Sequence, residues 1–119
     1  MTSYTKFENL DLNAYRGDRE TYTFNVKDAT GAVVNLAGQT IKAEARANIG
    51  DVATLFSITV TDAVSGNDFA NGVVVLILPE ATTLLLPTKS YYDIQATSGS
   101  TGVTTLARGR ITTFSQVTT

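Results

Sequence analysis

Residues 21–28 read TYTFNVKD, and within this stretch apolar side chains recur at every second position. The apolar members are Tyr22, Phe24 and Val26, and the residues between them are threonine and asparagine. Because successive side chains of an extended chain point to opposite faces, this period of two predicts a strand with one buried face and one wet face. The stretch therefore indicates a sheet protein.

Alternation of the same kind extends in both directions and predicts about seven strands. The further predicted strands are one within residues 5–14, then 40–46, 55–61, 72–78, 90–97 and 103–114. The nearly all-apolar 72–78 is predicted to be a central strand. Turn-forming residues separate these runs at 28–31, 65–68 and 98–102. A single helical turn is predicted between Pro79 and Pro87. The pattern predicts one all-β domain over residues 1–119, a sandwich or a barrel.

Composition narrows the function classes. The 119 residues carry a net charge of −2, and the nine basic residues are dispersed, so we expect neither nucleic acid nor a membrane as partner. Residues 1–6 do not have the pattern of a signal peptide. The chain has no cysteine and no histidine, which excludes disulfides, thiol nucleophiles, zinc sites of those ligands and the commonest general base. The lack of cysteine fits synthesis in a reducing cytoplasm.

The carboxylates do not suggest catalysis. Asp18 and Glu20 form a close pair, but they lie beside Arg16 and Arg19 and are typical of a solvated charge cluster. Hydroxyl side chains are plentiful, yet a hydroxyl nucleophile needs an activating base. We therefore expect no enzyme activity, no catalytic residues and no cofactor.

Two short motifs have a structural and a functional interpretation. Asp62, Asn67 and Asp68 bracket a glycine turn and supply the oxygen ligands that calcium prefers, but their spacing matches no known calcium loop and favours an ordinary turn. Residues 16–18 read RGD, an integrin-binding tripeptide, and the favoured interpretation is again a tight loop that needs its glycine.

A tyrosine pair follows a leucine-rich crossover. Pro87 ends the segment LLLP, and Tyr91 and Tyr92 open the next predicted strand. This arrangement resembles the tyrosine corner of Greek-key sandwiches, in which a phenol hydroxyl binds backbone across the corner. The alternative is a pair of strand aromatics with one ring facing in and one facing out.

The order of several short segments resembles a known family. In chain order they read RGD at 16–18, YTFNVKD at 22–28, VNLAG at 34–38, TIKA at 40–43, FSITVTD at 56–62, LP at 86–87, YYDIQ at 91–95 and TLARGRI at 105–111. The chain resembles the Ig-like domain of phage baseplate and tail-fibre proteins, including the N-terminal domain of siphophage baseplate upper proteins. The resemblance implies an Ig-like antiparallel β-sandwich with Greek-key connections.

The same resemblance implies a structural role. Such a domain docks onto other virion proteins in a multi-copy assembly, and the family has no catalytic residues to carry over. Because no coiled coil, stalk or receptor-binding head accompanies the domain, we expect a small tail, baseplate or fibre adaptor, assembled in the host cytoplasm and located in the virion, more in the tail than in the capsid. Lightly charged edge strands, the N-terminal one and 103–114, would serve for strand addition to a partner.

Two alternatives remain open. One is a capsid decoration protein, which differs only in its place on the particle. The other is a carbohydrate-binding module, whose candidate stacking rings are Tyr4, Tyr15, Tyr22, Tyr91 and Tyr92.

Overall fold

Strands make up most of the described chain. The computed structural model describes residues 4–5, 11–28, 30–61, 66–98 and 102–115. Over those residues it contains nine strands, seven of them with at least four residues. They are β1 (Tyr4–Thr5), β2 (Leu12–Tyr15), β3 (Glu20–Asn25), β4 (Lys27–Asp28), β5 (Thr40–Arg46), β6 (Phe56–Val60), β7 (Val73–Leu78), β8 (Lys89–Ser98) and β9 (Gly102–Phe114). A helix, α1 (Glu80–Thr83), and a 3-10 turn at Phe69–Asn71 complete the elements.

The longer strands form two sheets. The larger has five strands in the order β2-β9-β8-β5-β6, and the smaller pairs β3 with β7; β1 and β4 form a separate short pair. The hairpins β5-β6 and β8-β9 lie in the larger sheet, and the chain leaves it and returns through β7. The predicted Ig-like Greek-key sandwich is confirmed. Its antiparallel character has one exception, since β2 runs parallel to β9.

The predicted strands agree closely with the observed ones. Residues 40–46 form β5 with the predicted bounds, and the later strands differ from prediction by a residue or so at their ends. The stretch 21–28 divides at Val26, where the chain changes partner. The N–H of Val26 donates to the carbonyl of Gly72 (2.8 Å), one step beyond the last β3-β7 pair, whereas its carbonyl accepts from the N–H of Val34 (3.1 Å). Of the predicted N-terminal strand, β1 and β2 are seen at its two ends, while residues 6–10 lie outside the described residues.

The core lies between the two sheets, and alternation in sequence produces it. Ile41, Ala43 and Ala45 of β5 are all completely buried, whereas Lys42 between them is exposed. The largest fully buried apolar side chains are Leu36, Ile41, Leu76, Leu78, Leu86, Ile94, Leu106 and Ile111. Burial of large aliphatic side chains stabilises a fold by about 1.5–3 kcal/mol for each, which makes this cluster the main stabilising feature.

The prediction that 72–78 is a central strand is wrong. Among the described strands β7 pairs only with β3, and its other edge is covered by the segment that precedes it, in which Asp68 forms an isolated bridge with Val73. Asn67 lies there, where its Oδ1 accepts from the N–H of Val75 at 2.8 Å. A Cβ added to Gly66 would lie 3.3 Å from Cγ2 of Val75, so this segment also covers the outer face of β7. The strand is apolar on both faces because core and loop each cover one.

The predicted helical turn is confirmed as α1, in the crossover from β7 to β8. Thr83 at its end is fully buried and its hydroxyl reaches the turn after β2. Its Oγ1 accepts from the N–H of Gly17 at 3.0 Å and donates to the carbonyl of Asp18 at 2.7 Å. The described part of the chain contains no helix that is long and apolar enough to cross a bilayer.

Candidate functional site

An open concavity lies on the outer face of the five-stranded sheet. It is an open groove of about 500 Å³ that crosses β5, β8 and β9, with the loop after β5 at one side. The groove is lined by Asp11, Glu44, Arg46, Ile49, Gly50, Tyr91, Tyr92, Asp93, Thr105, Arg108, Gly109 and Arg110. Aromatic, cationic and anionic groups therefore converge on one face.

Strand register arranges the first row of these side chains. Tyr91 on β8 is opposite Arg46 on β5 and opposite Arg110 on β9. Since directly opposed residues of antiparallel strands have Cβ atoms about 5 Å apart, the half-buried tyrosine lies between two arginine residues of the neighbouring strands.

A second row lies two residues further along each strand. Asp93 on β8 is opposite Glu44 on β5 and Arg108 on β9. The two rows together place three arginines, two carboxylates and a tyrosine on adjacent strands, and Asp11 adds a third carboxylate from the approach to β2.

The charges in the groove are largely compensated. Nη2 of Arg46 lies 3.5 Å from Oε1 of Glu44, and Nη2 of Arg110 lies 3.8 Å from Oδ2 of Asp11. Oδ1 of Asp11 also accepts from the backbone N–H of Arg110 at 3.2 Å. Exposed ion pairs of this kind add at most about 1 kcal/mol each to stability. The groove is thus a patterned polar surface and not a strong anion trap.

Asp93 is a carboxylate of the groove whose pKa is shifted. Partial burial raises the pKa of Asp93 above its usual 3.8; Arg46 opposes the rise, Glu44 adds to it, and Arg108 opposes it. Because burial outweighs the two cations, the carboxylate is poorly solvated and a hydrogen-bond donor from a partner would stabilise it.

The two tyrosines of the predicted corner face opposite ways. Tyr92 is buried against the core side of β8, opposite Gly109 and Ala45, and this burial raises its pKa, with Asp11 and Tyr22 adding to the rise. Tyr91 faces the groove. The crossover before them contains the half-buried Pro87.

The assignment of a tyrosine corner to Pro87, Tyr91 and Tyr92 stays a prediction. A tyrosine hydroxyl does reach backbone elsewhere in the fold, because Oη of Tyr22 donates to the carbonyl of Asn13 at 2.7 Å. Burial, with Glu20 adding to it, raises the pKa of Tyr22 to about 12.

The charge cluster at 16–20 is used by the fold. Nε of Arg16 donates to the carbonyl of Leu86 at 3.0 Å, and its Nη1 donates to Oγ of Ser115 at 3.0 Å. Oε2 of Glu20 accepts from the N–H of Tyr15 at 2.7 Å. The contacts of Arg16 tie the RGD turn to the crossover that follows α1 and to the residue that follows β9, which agrees with the loop interpretation of the motif.

The residues considered for calcium also have roles in the fold. Asn67 binds the backbone of Val75, and Oδ2 of Asp68 accepts from Nδ2 of Asn71 at 2.8 Å. Asp62 lies outside the described residues. Over the described ranges no group of three or more Asp, Glu, His or Cys side chains comes together as a metal site.

The tyrosines do not form one stacking platform. Tyr15 is about half exposed and packs against Phe114, with ring centroids 5.7 Å apart and planes tilted by 40°. Tyr22 and Tyr92 are turned toward the core, and Tyr91 is in the groove. The side chain of Tyr4 lies outside what the structure describes.

Sequence reasoning missed the groove as a site. A signal was present, because each of its three strands carries two large polar or aromatic residues at outward positions two apart: Glu44 and Arg46, Tyr91 and Asp93, Arg108 and Arg110. To see that the three pairs form one surface, one must know that β8 lies between β9 and β5 and which residues are opposite each other. A local sequence pattern contains neither piece of information.

Comparison with other proteins gives no family for this chain. No protein-family model matches the chain, and no curated protein matches it. Among solved structures, the SrpA adhesin from Streptococcus sanguinis is similar, with 20% sequence identity and a TM-score of 0.45. The similarity covers 98% of this chain and 60% of the adhesin chain. The β-sandwich assignment thus stands on the strand pairing above.

Proposed function

We propose that this chain is a structural protein of a phage virion, a small tail, baseplate or fibre adaptor that mediates protein–protein assembly. The order of the short segments from 16–18 to 105–111 motivates the phage assignment. Its partners are other virion proteins, and its place is the tail.

The observation that supports a docking role is the row Arg46–Tyr91–Arg110 at the centre of the groove. Tyrosine and arginine are the side chains most enriched at the energetic centres of protein interfaces, because each combines apolar area with directional hydrogen bonding. Compensating carboxylates around them favour a partner with matched polar groups over a polyanion.

Variants of the groove test the docking role. We expect Tyr91→Ser and Arg110→Glu to reduce incorporation of the protein into particles, since the first removes the central ring and the second reverses a charge beside it. Lys89→Glu is the matched control, because Lys89 is an exposed cation of the same strand outside the groove. Thermal unfolding of each purified variant separates loss of docking from loss of folding.

Location tests the virion assignment. Mass spectrometry of purified particles should detect the chain, and immunogold electron microscopy should label the tail tip or the fibre roots. Label spread over the head would replace the tail assignment with a capsid decoration protein. Absence of the chain from particles produced while the gene is expressed would reject the virion role.

A carbohydrate-binding module is the second candidate, and Tyr91 is the observation that favours it. A half-buried ring between guanidinium and carboxylate groups offers both an apolar face and hydrogen-bond partners to a sugar. Binding on a glycan array that Tyr91→Ser abolishes would support this candidate over the adaptor.

A further inference from the structure

The outer edge of β6 is an unpaired part of the larger sheet. β6 pairs with β5 on one side, and none of the described strands pairs with it on the other. An edge strand presents unpaired backbone N–H and C=O groups, and natural proteins block such edges with charges, prolines or bulges.

This edge has none of those protections. Residues 52–61 read VATLFSITVT and contain no charged residue, no proline and no glycine. The strand is rich in β-branched and aromatic residues, which favour extended pairing. An unprotected edge of this composition favours addition of another strand.

Other edges of the two sheets are protected over part of their length. On β2, the N–H of Tyr15 donates to Oε2 of Glu20 and the carbonyl of Asn13 accepts from Oη of Tyr22, so side chains bind the outer backbone groups. The part of β9 that β2 does not reach is uncharged over 102–107 and then carries Arg108 and Arg110. The outer edge of β7 is covered by Asn67, and β3 begins with the charged Glu20. Of the described edges, β6 is therefore the one most open to strand addition.

The loop that leads into β6 carries exposed apolar side chains. Ile49 and Val52 are 70% and 97% exposed, and Ile49 also lines the groove. Val52, shortly before β6, is apolar surface that a partner at this end of the strand would cover.

We propose that the β6 edge binds the β6 edge of a second copy of this chain, antiparallel across a two-fold axis centred on Ile58. That register places Ser57 opposite Thr59 of the partner subunit on the outer face, and Phe56 opposite Val60 of the partner subunit on the inner face. Polar side chains meet polar ones, apolar meet apolar, and no like charges oppose each other. Self-complementarity of this kind is what an isologous interface requires.

The contact joins two five-stranded sheets into one of ten strands. It does not rest on the proposed virion role, because it follows from β6 alone. The β6 contact would join two copies of the chain, and the groove on the outer face of the same sheet would stay accessible to a different protein.

The register can be tested with charge pairs on β6. Ser57 is opposite Glu44 and Thr59 is opposite Lys42 on β5, and both β6 side chains are exposed. Ser57→Lys combined with Thr59→Glu therefore places opposite charges across the proposed axis and also against β5. Ser57→Lys with Thr59→Lys, and Ser57→Glu with Thr59→Glu, place like charges across the axis.

Sedimentation equilibrium at about 0.3 mM, where a contact with a Kd near 10⁻⁴ M is populated, is the measurement. With that Kd about two thirds of the wild-type chains are in dimers, so the weight-average mass should be about 1.7 times the monomer mass of 12.7 kDa. Each like-charge variant should self-associate about tenfold more weakly, because like charges directly opposite on paired strands are destabilising, and the opposite-charge variant should associate more tightly. An equimolar mixture of the two like-charge variants should form heterodimers.

Thr21→Lys with Thr23→Lys is the matched control, because these threonines are exposed at the same spacing on β3. The control should dimerise as the wild type does. The proposal would be overturned if the wild type stayed monomeric, or if the like-charge and opposite-charge variants of β6 associated as strongly as each other. It would also be overturned if the β3 control lost association as the like-charge variants of β6 do. Labelling of virions answers a separate question, so failure of one proposal is distinguishable from failure of the other.

Discussion

The side-chain amide of Asn67 binds the backbone of Val75 as a neighbouring strand would. Its Oδ1 accepts from the N–H of Val75 at 2.8 Å, and its Nδ2 donates to the carbonyl of the same residue at 3.5 Å. The side chain of Asn67 thereby satisfies both the N–H and the carbonyl group of Val75 at the outer edge of β7.

Asn67→Ala should destabilise the fold by about 1–3 kcal/mol, because it leaves two partly buried backbone groups of Val75 unpaired. Chemical denaturation gives this difference. Asn71→Ala is the control, since its amide bonds the exposed side chain of Asp68 instead of a strand. Equal losses in the two variants would mean that the Val75 contact is not important.

Two buried threonines allow a matched comparison. Thr83 and Thr113 are both almost completely buried, but the hydroxyl of Thr83 bonds Gly17 and Asp18, whereas that of Thr113 finds no partner among the described residues. We expect Thr83→Val to cost about 1–3 kcal/mol and Thr113→Val to be neutral or stabilising, because only the first leaves backbone groups unsatisfied. Thermal unfolding measures both. A larger loss at Thr113 would contradict the assignment.

Gly72 is predicted to be the glycine least tolerant of alanine. Its φ is +74°, and a Cβ there would lie 2.6 Å from the carbonyl oxygen of Val26 and 2.9 Å from that of Val34. Gly72→Ala should cost about 2–4 kcal/mol from strain and the clash together. Gly38→Ala is the control, because Gly38 has a similar φ of +81° but open space around it, and should cost about 1 kcal/mol. If the denaturant midpoints of Gly72→Ala and Gly38→Ala coincided, the predicted clash at Gly72 would be wrong.

Asp93 should make stability depend on pH. Since its folded pKa is raised above 3.8, chiefly by burial, the folded protein retains the proton at pH values where the unfolded chain has lost it. The free energy of unfolding should therefore fall as the pH rises from the ordinary pKa through the raised one, and then level off. Asp93→Asn should lack this decline, so its stability relative to wild type should increase from acidic to neutral pH. The free energy of unfolding of both proteins is measured by denaturation at a series of pH values. If the two plots against pH were parallel, Asp93 would not be the cause of the pH dependence.

Much of the fold was predictable, because burial on one face leaves its period in the chain. The alternation of Ile41, Ala43 and Ala45 with charged residues gave the bounds of β5 correctly. The nearly all-apolar stretch 72–78 was correctly predicted to be a strand, but its central position in a sheet was not. A strand whose outer face is covered by a loop buries the same side chains as a strand inside a sheet, so the sequence does not distinguish the two. Asn67, which decides between them, reads as an ordinary turn residue.

The candidate site was less predictable because it depends on register. Tyr91 was identified from the sequence, but for a corner and not for a groove. Its two arginines are contributed by strands 45 residues earlier and 19 residues later in the chain. A bulge in β9 at Leu106, opposite 94–95 of β8, also shifts the pairing, so counting from the hairpin would have placed Arg108 and Arg110 on the wrong face.

The parallel pair of β2 and β9 has a consequence for synthesis on the ribosome. Leu12 is opposite Ile111, so the first strand of the larger sheet cannot pair until nearly 100 further residues have been added. Until then its apolar side chains lack their final neighbour and are available to chaperones or to other nascent chains. Folding of the larger sheet can thus finish only once β9 has left the ribosome, and a stall before residue 102 would leave a chain that lacks β9 and cannot reach the native state.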